Sequence, residues 1–237
     1  MKYLIVEFMG VFFMVLFTGL ANIMVDRDET PIIANSFTFG LLVMVFSMCS
    51  KNVSQGLFNP TFAIVQNLFG ELTTGATIGY IASHIVAGLS ATSLMSSVLE
   101  YNGYLDRDNL NLGVKHINEQ SDYFSVFTVE IMGCVFLYLG YLFFFVNKNG
   151  SHELGSLFYG FLATALYLAT YELSGGTYNI SMMLGGIFYD SIIDNKLVVL
   201  FIGNIFGVVV SRLLYQRILV NKEDTKEHKI LKLLFSN

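Results

Sequence analysis

Two asparagines, Asn59 and Asn179, stand at the start of short apolar segments and are the residues best suited by type and spacing to handle a polar solute. Asparagine is a good N-cap, and Pro60 occupies the first-turn position at which proline is tolerated. Each motif predicts a helix of about ten residues, roughly 15 Å long, which is half of the about 30 Å hydrocarbon core of a bilayer.

Two such half-helices, entering a membrane from opposite faces, would oppose their positive N-terminal ends near the midplane. That arrangement handles small polar solutes and repels cations. The first-turn residues that we expect to support the half-helices are Pro60, Thr61, Ile180 and Ser181. Ile180 lacks the fixed φ of proline, but Asn179 can still cap a helix that begins there. Capped helices in a soluble protein are the alternative interpretation.

The composition disfavours that alternative. Of 237 residues, 54% are hydrophobic and only 13% are charged, and the mean hydropathy is +0.61. These values are typical of an integral membrane protein and exclude an ordinary soluble domain. Cys49 and Cys134 both lie within apolar runs, so we expect neither a disulfide framework nor a zinc site.

The apolar pattern predicts an all-α polytopic membrane protein with six transmembrane helices and the two re-entrant half-helices. The predicted spans are about 3–24, 32–49, 76–94, 124–146, 157–171 and 197–219, and the half-helices are 59–69 and 179–189. Residues 1–220 would form a single domain of two halves, about 1–95 and 123–219, linked by a polar loop at 96–122. Residues 221–237 would form a cytosolic tail.

The two halves are an internal repeat. Residues 6–10, Val-Glu-Phe-Met-Gly, recur as Val-Glu-Ile-Met-Gly at 129–133, and Gly40 and Gly160 each lie 19 residues before the motif asparagine of their half. Each half holds three full spans, an odd number, so the second half must enter from the opposite face. The sequence therefore predicts an inverted-topology repeat.

Glu7 and Glu130 occupy equivalent positions within apolar spans, where a carboxyl group is expensive unless it has partners. In a proton-coupled transporter they would titrate. In a passive pore they would accept hydrogen bonds from the backbone that leads into each half-helix. One carboxyl group per half-helix favours the supporting role.

Basic residues indicate the orientation. We count nine on the face that carries the termini: Lys2, Lys51, Lys148, Arg212, Arg217, Lys222, Lys226, Lys229 and Lys232. Four lie on the other face, and the positive-inside rule then places both termini in the cytoplasm. The sequons at Asn52 and Asn149 would face the cytoplasm and stay unglycosylated. The choice between the plasma membrane and an intracellular membrane stays open.

No set of side chains in the sequence is typical of an enzyme. We find no nucleophile elbow, no phosphate-binding loop and no metal-ligand spacing of His with carboxylates. We therefore expect no catalytic activity, no cofactor, no metal and no nucleic-acid partner. The expected partners are the lipid bilayer and the solute.

The sequence resembles the aquaporins, of the major intrinsic protein family, over nearly its whole length apart from the tail. The resemblance rests on the span order, the repeated Glu-bearing segments, Phe39-Gly40 and the paired motifs at 56–61 and 174–181. The family has Asn-Pro-Ala twice, whereas this chain has Asn-Pro-Thr at 59–61 and Asn-Ile-Ser at 179–181. The resemblance implies that Asn59 and Asn179 donate hydrogen bonds to the permeating molecule, and it implies a homotetramer with one pore per subunit.

The resemblance also implies a constriction near the outer mouth of the pore. Its four positions correspond here to Phe39, Tyr167, Gly176 and Met182. The family has an arginine where this chain has Met182, so the expected wall is apolar and flexible and lacks a cationic donor. An altered second motif without that arginine is similar to the unorthodox branch of the family, the superaquaporins.

These observations predict a passive channel for water or small uncharged solutes such as glycerol, with an atypical filter. Two alternatives stay open. A proton-coupled secondary transporter would use Glu7 or Glu130, and a non-conducting scaffold would have its pore closed by Phe39, Tyr167 and Met182.

Overall fold

The computed structural model describes residues 1–26, 30–103, 122–146, 151–176, 178–189 and 195–219, and the regular structure of these residues is helical. The α-helices are α1 (Lys2–Asp26), α2 (Ile32–Ser50), α3 (Pro60–Leu68), α4 (Thr74–Tyr101), α5 (Tyr123–Tyr141), α6 (His152–Ser174), α7 (Ile180–Tyr189) and α8 (Asn195–Leu214). Short π-helical turns, Leu142–Val146 and Tyr215–Leu219, continue α5 and α8.

Six helical segments are long and apolar enough to cross a membrane, which confirms the predicted number of spans. α3 and α7, with 9 and 10 residues, are the two half-length helices. Large apolar side chains cover the outer faces of the long helices, with Ile78 63% and Phe124 78% exposed. In water such surface would be costly, whereas lipid tails accept it.

Polar side chains fix the starts of three spans. The side chains of Thr73, Asp122 and Ser151 accept hydrogen bonds from the first turns of α4, α5 and α6. Asp122 accepts both the backbone N–H of Ser125, at 2.8 Å, and its hydroxyl, at 2.7 Å. These two bonds to Ser125 lower the pKa of the Asp122 carboxyl group.

The predicted polar loop was too long at its start. Residues 96–101 belong to α4, so the third span extends well beyond 94. The Asn, Asp, Gly and Lys residues on which the loop was predicted lie after this stretch. Its serines are compatible with a helix, because a serine hydroxyl can bond to the carbonyl one turn back: Ser97 Oγ donates to the Ser93 carbonyl at 3.0 Å. Leu99 is buried. The predicted remainder of the loop at 104–121 and the tail at 221–237 lie outside the described residues.

The helix pairing follows the repeat. α1 packs on α4, and α5 packs in the same way on α8, while α2 of the first half packs on α6 of the second. Gly40 and Gly160 lie at the crossing of α2 and α6. A Cβ on Gly40 would stand 2.5 Å from the Gly160 carbonyl oxygen, and one on Gly160 would stand 2.7 Å from that of Gly40. The shared glycine spacing therefore marks a close crossing of the two backbones, which a larger side chain at either glycine would disturb.

Candidate pore and its constriction

We call the face at which α1 begins the proximal face and the face at which it ends the distal face. The backbone enters α3 and α7 at the centre of the bundle, where the two motif asparagines face each other. Asn59 Nδ2 donates to the Tyr178 carbonyl at 2.8 Å, and Asn179 Nδ2 donates to the Phe58 carbonyl at 2.7 Å. These reciprocal bonds join the two approach loops. Each amide has two N–H hydrogens, so one of each remains for another acceptor.

The two asparagines also cap their helices. Asn59 Oδ1 accepts from the Thr61 N–H, and Asn179 Oδ1 accepts from the Ser181 N–H, each at 3.0 Å. α7 begins at Ile180, although this first helical position holds isoleucine where α3 has Pro60. Asn59 is 3% and Asn179 6% exposed. Both amides are thus held rigidly by carbonyl and N–H partners, and a small part of each reaches open space.

Glycines on α1 and α5 make room for these loops. Phe58 and Tyr178, just before the two asparagines, both have positive φ, 46° and 36°. A Cβ on Gly10 would stand 2.4 Å from the Phe58 ring, and one on Gly133 would stand 1.9 Å from the Tyr178 ring. Each repeated Val-Glu-x-Met-Gly segment therefore ends in the residue that admits the aromatic ring of its loop.

Glu7 ties the first loop to the bundle. It is fully buried and accepts from the Leu57 N–H at 3.1 Å and the Phe58 N–H at 2.7 Å. His84 Nε2, on α4, lies 2.9 Å from the same carboxyl group. Backbone donors and an imidazole thus hold this carboxyl group, which satisfies a polar group that the membrane interior would otherwise disfavour.

Glu130 does the same for the second loop. It is fully buried and accepts from the Tyr178 N–H at 3.0 Å and from Asn204 Nδ2 at 2.6 Å. Sequence analysis missed His84 and Asn204 as partners of the two glutamates. Both residues follow the motif asparagine of their half by 25 residues, and this shared spacing could have identified them.

The four residues of the expected constriction lie in the distal half. The rings of Phe39 and Tyr167 lie 5.1 Å apart between centroids, and both side chains are buried. Gly176 has a φ of +62°, and a Cβ there would stand 3.1 Å from the Tyr167 ring. Met182, on the first turn of α7, is 2% exposed. The structure thus brings Phe39, Tyr167 and Gly176 together.

The family model of the major intrinsic proteins matches residues 1–215. The chain therefore belongs to the major intrinsic protein family. Among solved structures it is similar to the aquaglyceroporin from Plasmodium falciparum, with a TM-score of 0.78 and 18% identity over 92% of this chain and 96% of that one. At that identity the likeness shows the fold. Family membership makes the chain a multi-pass membrane channel for water or other small solutes, and not an enzyme.

In this major intrinsic protein an amide pair lies beside Tyr167, one of the residues of the expected constriction. Tyr167 donates its hydroxyl to Asn22 Oδ1 at 2.7 Å, and Asn35 Nδ2 donates to the same hydroxyl at 3.3 Å. Asn35 Nδ2 also donates to Asn22 Oδ1. Asn22 is on α1 and Asn35 on α2, and both are buried. Sequence analysis missed this pair, because neither residue belongs to a motif.

A buried cation lies near the proximal face. Arg212, 1% exposed, pairs with Glu71, which follows α3. Its guanidinium carbon stands 5.4 Å from the Phe69 ring centroid and 5.9 Å from that of Tyr215. This ion pair and its aromatic contacts tie α8 to the end of the first half-helix. Sequence analysis counted Arg212 only as a charge of the proximal face.

Proposed function

We propose that this protein is a passive channel for water and small uncharged solutes such as glycerol, with a constriction that lacks arginine. The observation that carries the proposal is the pair of facing N-caps. Asn59 and Asn179 each donate one side-chain N–H to a carbonyl of the opposite loop. The second N–H of each amide can therefore donate to a permeating molecule. The helix ends behind them are positive, which disfavours cations at the midplane.

The proposed selectivity rests on Phe39, Tyr167, Gly176 and Met182. Aromatic rings supply most of this wall, and Met182 supplies a flexible apolar side chain where the family has arginine. An arginine would offer several fixed donors and a positive charge. Without it, selection among solutes depends on the width of the aperture and on few hydrogen bonds. We therefore propose that water is the main permeant and that small hydroxylated solutes also pass.

The environment of Glu7 and Glu130 supports a passive channel over a proton-coupled transporter. Backbone N–H groups of the approach loop donate to each carboxyl group, and one side chain of the last span of the same half, His84 on α4 or Asn204 on α8, also contacts it. A carboxyl group that holds a backbone loop would release it on protonation. We therefore assign both residues to loop support.

A second candidate function is a membrane scaffold without conduction. The observation that favours it is the burial of the constriction, where Phe39 and Met182 are each 2% exposed and Tyr167 is fully buried. In such a protein the same fold would persist with a closed pore.

We also propose a homotetramer with one pore per subunit and cytoplasmic termini. We propose the tetramer because the resemblance to the family implies it. The orientation follows from the excess of basic residues on the proximal face.

Light scattering of proteoliposomes in a stopped-flow instrument tests the proposal. The parent, Tyr167→Ala and empty liposomes are compared under an osmotic gradient and then a glycerol gradient. A channel predicts faster shrinkage in the parent than in empty liposomes, and faster glycerol entry in Tyr167→Ala because the aperture is wider. If the parent does not raise permeability above that of empty liposomes but Tyr167→Ala does, the result would favour the scaffold. If neither protein raises permeability, the result would contradict the proposed pore.

A further inference from the structure

The phenol of Tyr167 is held at its hydroxyl as well as at its ring. The ring packs on Phe39, and the hydroxyl meets two buried amides, Asn22 and Asn35, that come from different helices. Asn35 lies one helical turn, about 6 Å, to the distal side of Phe39 on α2. The three polar side chains therefore form a hydrogen-bonded triangle at the distal edge of the constriction.

Packing alone gives no reason for this amide pair. Asn35 is fully buried, and its Oδ1 has no hydrogen-bond partner among the described residues. An unpaired buried oxygen is unfavourable, and an apolar side chain of similar volume would avoid it. What Asn35 does offer is Nδ2, which donates to both the Tyr167 hydroxyl and Asn22.

We propose that Asn22 and Asn35 are positioning residues that clamp the Tyr167 phenol across the pore and so set the solute size that the constriction admits. This inference rests on the proposed channel function. Asn22 Oδ1 is the shared acceptor of the clamp, since it receives both the phenol proton and an Asn35 proton. Release of the hydroxyl lets the ring leave Phe39, and the aperture then admits larger neutral solutes.

The test compares glycerol with water permeability in proteoliposomes for the parent, Asn22→Leu, Tyr167→Phe and the double variant. Leucine keeps the branching and the number of heavy atoms of asparagine, and Tyr167→Phe keeps the ring, so each change removes hydrogen bonding while the shape of the side chain is largely kept. Tyr138→Phe is the matched control, because it deletes another buried phenol hydroxyl, on α5. Asn35→Leu repeats the test from the second amide.

The clamp predicts that the ratio of glycerol to water permeability rises roughly five-fold above the parent in each single variant. One net hydrogen bond contributes about 1 kcal/mol, which corresponds to this factor. The double variant should show no more than either single change, because both remove the same contact. Tyr138→Phe should keep the parent ratio. An unchanged ratio in Asn22→Leu, or singles whose effects multiply in the double variant, would overturn the clamp while a conducting parent leaves the channel intact.

A parent that does not conduct would refute the proposed function. In that case thermal unfolding of the same four proteins in detergent tests the Asn22–Tyr167 contact of the clamp. Melting shifts of Asn22→Leu and Tyr167→Phe that fail to add would support a direct Asn22–Tyr167 contact. Strictly additive shifts would overturn it.

Discussion

Replacement of Glu7 by glutamine tests how the first half-helix is held. The carboxyl group uses both oxygens as acceptors: one receives the Leu57 N–H, and the other receives the Phe58 N–H and faces His84. Glutamine keeps one oxygen and replaces the other by an NH₂ group that cannot accept. Whichever way the amide turns, at least one loop N–H loses its acceptor inside the bundle.

The expected loss is about 2 kcal/mol, because hydrogen bonds to charged groups contribute about 1.5–3 kcal/mol each and the cheaper orientation loses one. For a chain of this size about 1 kcal/mol corresponds to roughly 2–4 °C in melting temperature, so Glu7→Gln should melt about 4–8 °C below the parent. The assay is thermal unfolding of the detergent-solubilised protein. A melting temperature of Glu7→Gln equal to that of the parent would refute the loop-support role.

Two further substitutions probe other contacts of the bundle. Gly133→Ala puts a Cβ 1.9 Å from the Tyr178 ring, so we expect a loss of about 1–3 kcal/mol in thermal unfolding. We expect partial recovery when Tyr178→Gly removes the ring, since glycine accepts the positive φ at that position. An unchanged melting temperature in Gly133→Ala would contradict this packing. Arg212→Met leaves Glu71 without its buried cation, and we expect about 2 kcal/mol of destabilisation, less than for a fully buried pair because Glu71 is partly exposed. Adding Glu71→Gln should recover part of that loss, and a double variant less stable than Arg212→Met would argue against the ion pair.

Hydropathy and the repeat were enough to predict the class of the fold. Six spans and two half-length helices follow from the lengths of apolar runs, because a bilayer sets the length that a helix must have. Span ends were less predictable. The polar loop was predicted to begin at 96, but 96–101 belong to α4, where the Ser97 hydroxyl bonds to a helix carbonyl and Leu99 is buried.

The shared spacing of His84 and Asn204 from the motif asparagines marks them as equivalent positions of the repeat, but it does not say which residues they contact. His84 and Asn204 meet Glu7 and Glu130 only because α4 packs on α1 and α8 on α5. The contact of Asn22 with Tyr167 joins α1 to α6, which are far apart in the chain, and no local pattern reports it.

The backbone of the approach loops was equally hidden. Positive φ at Phe58 and Tyr178 is uncommon for aromatic residues. From sequence alone a positive φ is expected at glycine, so nothing in these two residue types indicated it. The loops adopt it because buried carboxyl groups and reciprocal asparagine bonds hold them. Such conformations come from tertiary contacts and not from local preference.

We propose that solute passes the facing amides of Asn59 and Asn179, and the activation energy of osmotic water flow tests this path most directly. Shrinkage of proteoliposomes is measured over a range of temperatures for the parent, Asn179→Leu and empty liposomes. A water-filled path predicts a markedly lower activation energy in the parent than in empty liposomes. In Asn179→Leu, which removes the amide donor and makes the midplane apolar, the activation energy should return towards the value for empty liposomes. An activation energy in the parent equal to that of empty liposomes would contradict the pore.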